Sequence, residues 1–188
     1  MGILADMEET LKRGDKEAEL LHKLLRQREE LFTDVLNCAS ANIVVTKHSI
    51  SQLLKETLNT SCGECLSKYK DREGISLDCK NLTKEDAFGW MVNLAKRVEQ
   101  TPNLIVIIEN LAEIINEPMS NDAHYIVNLL GHSWKNEKVV FGNYCIDRSG
   151  LTIIITVTPE QKNNLCQELR MDGYYWIEDF DEEFEKIQ

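Results

Sequence analysis

The amino-acid sequence predicts an α/β fold: a three-layer sandwich around a mainly parallel, five-stranded sheet. Two continuous runs, residues 104–108 and 151–157, contain only aliphatic side chains and threonine, as strands buried on both faces do. Shorter β-branched runs alternate with segments of helical periodicity, which indicates parallel strands connected by helices. The chain of 188 residues is 43% hydrophobic and contains three prolines, which favours one substantial core.

The chain divides into an N-terminal helix, residues 1–37, and one α/β domain, residues 38–188, which ends in an acidic tail. From residue 8 onwards, apolar residues recur at helical spacing among charged ones, which predicts an amphipathic helix packed on the core. Its turns before residue 19 are polar enough to protrude or fray. The apolar positions of this helix are Leu20, Leu21, Leu24, Leu25, Leu31, Phe32, Val35 and Leu36.

The remaining elements alternate along the domain. Strands are predicted at residues 42–46, 75–79, 104–108, 138–141, 151–157 and 174–177. Helices are predicted after Ser49 or Ser51, between Thr83 and Pro102, over residues 121–134, and from Pro159 to residue 169. A turn is expected at residues 147–150. Ligands of such folds bind at the carboxyl ends of the strands, so the candidate site lies there.

The formal net charge of −11 restricts the classes of partner. Its field opposes non-specific binding to nucleic-acid phosphates and anionic lipids, so we expect a protein partner, with a homo-oligomer as a further option. No apolar run approaches the roughly 20 residues of a membrane span, and the charged N-terminus is unlike a signal peptide. We therefore expect no membrane contact and a cytoplasmic location.

Six cysteines are too few for a disulfide scaffold in a chain of this length, and we expect free thiols. Cys62 and Cys65 have the C-x-x-C spacing of half a zinc site or of a redox motif. No second pair accompanies them in the sequence, and no thioredoxin-like strand precedes them. We therefore expect free thiols rather than a metal site. The sequence alone does not decide whether Cys62 and Cys65 bind a metal.

The connection after the first predicted strand bears on nucleotide binding. A phosphate-binding loop follows the pattern GxxxxGK[ST], because glycines let backbone N–H groups approach the phosphates. Residues 46–52, TKHSISQ, contain no glycine, and their lysine precedes the turn. Lys47, His48 and Ser49 are candidate anion-binding residues at the start of the following helix. The alternative is a plain surface connection.

Residues 104–112, LIVIIENLA, resemble the Walker B motif of AAA+ ATPases, and the order of elements from about residue 31 to 177 is similar to that family's P-loop core. The resemblance implies Glu109 at the metal-binding position and Asn110 in place of the catalytic glutamate. Residues 147–158 are similar to the sensor 1 strand, which implies Thr156 or Thr158 at the sensor position. Arg170 matches the place of the arginine finger. The ligands implied are ATP and magnesium.

Several features depart from that family. The phosphate-binding loop is missing, we expect the helical lid to be absent, and the amide of Asn110 cannot act as a general base. We therefore expect that hydrolysis is lost and that no cofactor is bound. The residues alone also allow an exposed acidic strand end for Glu109 and an ordinary helix-terminal role for Arg170.

A looser likeness, at residues 147–158 and 174–179, is to the bacterial enhancer-binding transcription activators. Their sigma-factor-contacting GAFTGA loop has no counterpart in this sequence. The acidic segment 178–185 is interpreted either as a solvated tail or as a docking segment for a basic partner.

Two hypotheses for function start from the resemblance. The first is a non-hydrolysing AAA+-like module that acts in protein–protein interaction or regulation through the N-terminal helix, a sheet edge or the acidic tail. The second is a nucleotide-binding, ATPase-type regulator resembling the transcription activators. Its unconventional site would combine Lys47, Glu109 and Thr156 with Arg170 of a neighbouring copy.

A third hypothesis is independent of the resemblance. An unrelated α/β enzyme would place its site at the same strand ends, with Asp78, Glu109 and His48 as the polar groups. It requires a deep pocket in which these three side chains converge.

Overall fold

The structure, a computed structural model, describes residues 2–37, 41–60, 66, 69, 71–80, 82–101, 103–115, 126, 129–130, 138–162 and 174–187. The predicted five-stranded sheet is confirmed, and all its strands are parallel, in the order β2-β3-β6-β1-β7. The seven described strands are β1 (Ala41–Val45), β2 (Gly74–Asp78), β3 (Ile105–Glu109), β4 (Lys138–Phe141), β5 (Tyr144–Asp147), β6 (Thr152–Val157) and β7 (Tyr175–Ile177).

The two longest apolar runs of the sequence form the middle of this sheet. All five residues of β3 and all six of β6 are buried, as the runs predicted. The register places Ile107 opposite Ile154, and Ile155 opposite Ile43 of β1. Strands β2 and β7 are the two edges, and all their residues except Leu77 and Ile177 are partly or fully exposed.

Five helices lie within the described residues. The predicted N-terminal helix is 36 residues long, and the predicted cap of α3 is present, since Thr83 Oγ1 accepts a hydrogen bond of 3.3 Å from Asp86 N. Among the described residues, no helix has the length and apolar character that crossing a membrane requires. The helices are α1 (Gly2–Asn37), α2 (Ile50–Thr60), α3 (Lys84–Gln100), α4 (Ala112–Ile115) and α5 (Phe180–Glu185).

Apolar side chains cover both faces of the sheet, which gives three layers. One face carries α1, α2 and α5, where Phe32, Leu54 and Phe180 pack against Val44 and Ile154. The other face carries α3 and the β4–β5 strands. Because neighbouring strand residues point to opposite faces, the continuous apolar runs of β3 and β6 supply both cores at once.

The structure adds an antiparallel hairpin, β4–β5, where the sequence suggested one strand and a turn. Gly142 lies at the hairpin turn with φ of +55°, a conformation that glycine adopts without steric cost. Phe141 and Ile146 face the core, whereas Val140 and Cys145 are exposed. This alternation is a strand signal that we did not use. The predicted turn at residues 147–150 is present.

The acidic segment at the carboxyl end forms a short helix, α5, on the sheet. Its two aromatic side chains, Phe180 and Phe184, are 0% and 3% exposed, and Phe180 packs edge-on against Phe32 of α1. Because the phenylalanines are four residues apart, they lie on one side of the helix. The segment is therefore anchored through its apolar side, in contrast to the solvated tail that its charge suggested.

Two predicted helices extend beyond the described residues. Of residues 121–134, only 126, 129 and 130 are described, and they are helical and buried. Of the helix predicted from Pro159, residues 159–162 are described: residues 159–161 form a turn and Lys162 is helical.

Candidate functional site

The carboxyl ends of four parallel strands bring most of the predicted site residues together. We call this group the carboxyl edge. It lies where β1 enters α2 and β3 enters α4, and the ends of β2 and β6 flank it. Its members are Thr46, Lys47, His48, Ser49, Ser51, Asp78, Glu109, Asn110, Thr156 and Thr158.

Glu109 is inserted against the start of α2. Its side chain is nearly buried, with the residue 9% exposed, and it accepts hydrogen bonds from Ser49 Oγ at 3.0 Å and Ser51 Oγ at 3.1 Å. The backbone N–H of Ser51 donates to the same carboxylate at 3.1 Å. A carboxylate is stabilised at a helix N-terminus, because the first N–H groups lack partners within the helix. Glu109 therefore occupies the position at which a helix of this kind would bind an external anion.

The polar groups of the connection between β1 and α2 form hydrogen bonds with other groups of the protein. It is four residues long, from Thr46 to Ser49. Lys47 N donates to Asp181 Oδ2 of α5 at 3.1 Å, and His48 N donates to Thr46 Oγ1 at 3.0 Å. The hydroxyl of Thr46 donates to Asp181 as well. The N–H groups of Lys47 and His48 therefore donate to protein oxygens in this structure.

The side chain of Lys47 points to α5. Its ammonium nitrogen lies 2.8 Å from Glu185 Oε1, in an exposed ion pair. The hydrogen bond with Glu185, together with the attraction of that carboxylate, raises the pKa of Lys47 above its ordinary value. The one cation of the connection is therefore paired with a protein carboxylate.

His48 is half-buried beside an aromatic ring of α5. Its ring centroid lies 5.4 Å from that of Phe184, and its buried Nε2 has no hydrogen-bond partner among the described residues. The imidazole therefore packs as part of the α5 contact.

Asn110 makes the sharp turn from β3 into α4. Its φ of 57° lies in the left-handed region, which asparagine adopts more readily than most residues. Its side-chain Nδ2 donates to Asp78 Oδ1 at 2.7 Å, and its backbone N donates to Thr156 Oγ1 at 3.4 Å. These contacts tie together the ends of β2, β3 and β6.

Thr156 and Thr158 both lie next to this turn. Thr156 is buried, and its hydroxyl accepts the hydrogen bond from the backbone N–H of Asn110. Thr158 N donates to Gln161 Oε1 at 3.1 Å, and the amide of Gln161 donates to Glu113 at 2.8 Å. The threonines therefore fix the end of β6 through bonds to neighbouring protein groups.

Three of the predicted residues lie outside the described part of the chain: Arg170, Cys62 and Cys65. Within the described residues, no three histidine, cysteine, aspartate or glutamate side chains are grouped as metal ligands.

The three polar groups of the enzyme hypothesis have separate partners in the structure. Glu109 contacts the serines of α2, Asp78 contacts Asn110, and His48 contacts Phe184. A cavity of about 430 Å³ lies between α2 and the β2 edge, and its lining includes Ser51, Leu54, Arg72 and Ser76 but none of these three groups.

Sequence reasoning missed three residues that shape this site. Ser51 was considered only as a helix cap, although it provides two of the hydrogen bonds to Glu109. Asp181 and Glu185 of α5 were assigned to a tail. The four-residue spacing of Phe180 and Phe184 was a signal for a docked helical turn.

No family model matches this chain, and no curated protein matches it.

Proposed function

We propose that this chain is a non-hydrolysing AAA+-like module that acts through protein–protein interaction. The observation that carries the proposal is the filled carboxyl edge. The N–H groups of Lys47, His48 and Ser51 donate to protein oxygens, and the carboxylate of Glu109 occupies the start of α2. A phosphate would have to displace a buried carboxylate and the contacts of α5 with this connection.

The topology supports the AAA+-like part of the proposal. The sheet has five parallel strands, as the resemblance to an AAA+ core implies, and counted over these strands it runs 2-3-4-1-5. Glu109 is the last residue of the third of these strands, Asn110 follows it, and Thr156 lies near the end of the fourth. These are the places that the resemblance implies for the Walker B and sensor 1 residues.

Loss of hydrolysis is supported by the environment of Asn110. An amide does not accept a proton as a general base must, and Nδ2 of this amide is bonded to Asp78. In the place that the resemblance implies for the catalytic glutamate, this chain has the amide of Asn110. The carboxylate before it in the sequence, Glu109, is hydrogen-bonded to Ser49 and Ser51.

One contact favours a second candidate function, a nucleotide-binding regulator. In P-loop NTPases, a loop serine or threonine and the Walker B carboxylate hold Mg²⁺ together. Here Ser49 and Glu109 lie in corresponding places, 3.0 Å apart. If Mg²⁺ and a nucleotide were bound here, Ser49 and Glu109 would be the ligands of the Mg²⁺. The ion pair between Lys47 and Glu185 of α5 would then have to break.

Calorimetric titration with ATP and Mg²⁺ distinguishes the two functions. We expect no saturable heat from the full chain at millimolar nucleotide, and no phosphate release. Saturable binding that is weakened in both Glu109→Gln and Lys47→Ala would contradict the proposal and support the regulator. Glu99→Gln and Lys96→Ala, exposed positions on α3, are the matched controls for these charge changes.

A further inference from the structure

The cavity of about 430 Å³ between α2 and the β2 edge has the size of a small-molecule site. One wall is a single side of α2, because Ser51, Leu54 and Leu58 are spaced by three and four residues. Along this helix, the distance from Ser51 to Asn59 is about 12 Å. The wall is therefore long enough for an extended small molecule.

The residues of the edge strand create this space. The register pairs Gly74 with Ile105 and Ser76 with Ile107, and paired residues of parallel strands point to the same face of the sheet. On that face, β3 presents two isoleucines, whereas β2 presents a hydrogen atom and a hydroxymethyl group. A Cβ atom added at Gly74 would lie 3.9 Å from Ile105 O, which is an ordinary van der Waals contact. The missing side chain at Gly74 therefore leaves open volume.

Two cations line the cavity, and its described lining includes no acidic side chain. They are Lys55 on α2 and Arg72, which precedes β2. The guanidinium donates to three backbone carbonyl oxygens at 2.8 to 3.3 Å, those of Asn103, Leu104 and Gly150. Burial is the main cause that lowers the pKa of Arg72, since it disfavours the charged form.

The charge of the cavity is opposite to that of the whole chain, which is −11. Within the described part of the chain, neither Lys55 nor Arg72 has a carboxylate as an ion-pair partner. A partly desolvated cation without a counter-ion is stabilised by an anion that binds beside it. The charges therefore favour an anionic ligand.

The other lining residues indicate the rest of this ligand. Leu54, Leu58, Ile105 and Ile107 form apolar walls, and the described lining has no aromatic ring on which a nucleobase could stack. An aliphatic chain fits between such walls, because each methylene group that leaves water contributes to binding. A carboxylate matches the planar N–H groups of a guanidinium.

We propose that this cavity binds a small aliphatic carboxylate. The charged group contacts Arg72 and Lys55, and the chain lies between Leu58 and the isoleucines of β3. This binding site goes beyond the proposed interaction role, and it uses neither Lys47 nor Glu109. The nucleotide titration and the tests below therefore fail independently.

A series of butanoate, hexanoate and octanoate, titrated into the full chain and followed by ¹H–¹⁵N NMR, tests the site. We expect saturable shifts at the amides of Gly74 and Ser76, and an affinity that rises about threefold for each added methylene. Hexan-1-ol, which has the chain without the charge, should bind at least about tenfold more weakly than hexanoate. No saturation with octanoate at about 5 mM, or shifts that leave both amides unchanged, would overturn the proposal.

Lys55→Gln tests the charge of the cavity. Lys55 is the better target of the two cations, because Arg72 also bonds to the backbone that precedes β3 and β6. The exposed Lys55 is unpaired among the described residues, so the variant should fold normally and bind octanoate about fivefold more weakly. Lys96→Gln, at an exposed position on α3, is the matched control and should change the affinity less than about twofold. Equal effects of the two substitutions would mean that charge attracts octanoate without a site.

Gly74→Val tests the volume of the cavity. Valine is favoured in strands and would occupy the open space, so the urea midpoint should stay equal or rise. Octanoate binding should weaken at least about tenfold, and the gain for each methylene should disappear. Gly89 on α3 also has open space around it, so Gly89→Val is the matched control and should keep the natural affinity. A folded Gly74→Val protein that binds octanoate as the natural chain does would overturn the proposal.

Discussion

The carboxyl edge of the sheet and the exposed segment of α1, residues 12–23, differ in how their chemical groups are satisfied. At the edge, a glutamate, an asparagine and several backbone N–H groups bond to neighbouring protein groups. On α1, Leu20 and Leu21 are more than half exposed, and the described residues offer them no cover. The place where this fold class binds ligands is thus filled from within, whereas an apolar helix face is open. We therefore propose that the protein acts through its surface rather than through the strand ends.

Removing the anchor of α5 should have the largest effect on stability. Phe180 is fully buried against Phe32, so Phe180→Ala leaves a cavity and should lower the free energy of unfolding by about 3 kcal/mol. Urea denaturation measures this loss. Leu20→Ala, on the exposed part of α1, should change it by less than about 0.5 kcal/mol. Comparable losses at both positions would contradict the contrast between a closed edge and an open helix.

The internal carboxylate should contribute less than the aromatic anchor. Glu109→Gln removes the charge from hydrogen bonds with Ser49 and Ser51, and we expect a loss of about 1–2 kcal/mol in unfolding free energy. The exposed Glu99→Gln is the control. If Glu109→Gln instead raises the free energy of unfolding, the buried carboxylate is destabilising in the natural chain. Its role would then be to bind another ligand.

The pH dependence of stability tests how well water is excluded beside the edge. Burial is the main cause that raises the pKa of the Cys79 thiol from 9.0 to about 12, and the nearby Asp78 contributes. The folded state therefore keeps a proton that the unfolded state loses above pH 9, so the stability from this group is present below pH 9 and falls as pH rises. At pH 10 the loss should be about 1 kcal/mol.

Comparison with Cys79→Ala isolates this contribution, because lysines and tyrosines titrate in the same range in both proteins. The natural chain should lose more stability between pH 8 and pH 10 than the variant. Parallel pH profiles would show that water reaches Cys79.

Lys47→Ala should have the smallest effect. The ion pair with Glu185 is exposed on both sides, and such pairs contribute little after solvent screening. We expect a urea midpoint indistinguishable from that of the natural chain at moderate salt. A clear loss would mean that Lys47 holds α5 more firmly than the exposed geometry indicates.

The sequence was most informative where one residue pattern has one structural solution. The runs around Ile107 and Ile154 predicted the buried strands to within a residue, because a continuous aliphatic stretch of that length must be covered on both faces. The cap at Thr83 was predicted for a similar reason, since its hydroxyl and Asp86 are local in sequence. The alternating pattern around Ile146 was present but overlooked.

The partners within the site could not be predicted in the same way. Glu109 and Ser51 are 58 residues apart, and Lys47 and Glu185 are 138 apart. Such pairs depend on how whole elements pack, which no local pattern encodes. Sequence reasoning found which residues lie at the strand ends. It did not find that they satisfy one another, and that is the property on which the proposed function rests.

Amide hydrogen exchange of residues 46–52, followed by NMR with and without ATP and Mg²⁺, tests the filled edge most directly. We expect the amides of Lys47, His48 and Ser51 to exchange slowly, because each donates a hydrogen bond within the protein. Their rates should not change when nucleotide is added. Rapid exchange that becomes slow only with nucleotide would contradict the proposal and identify this connection as a phosphate-binding loop.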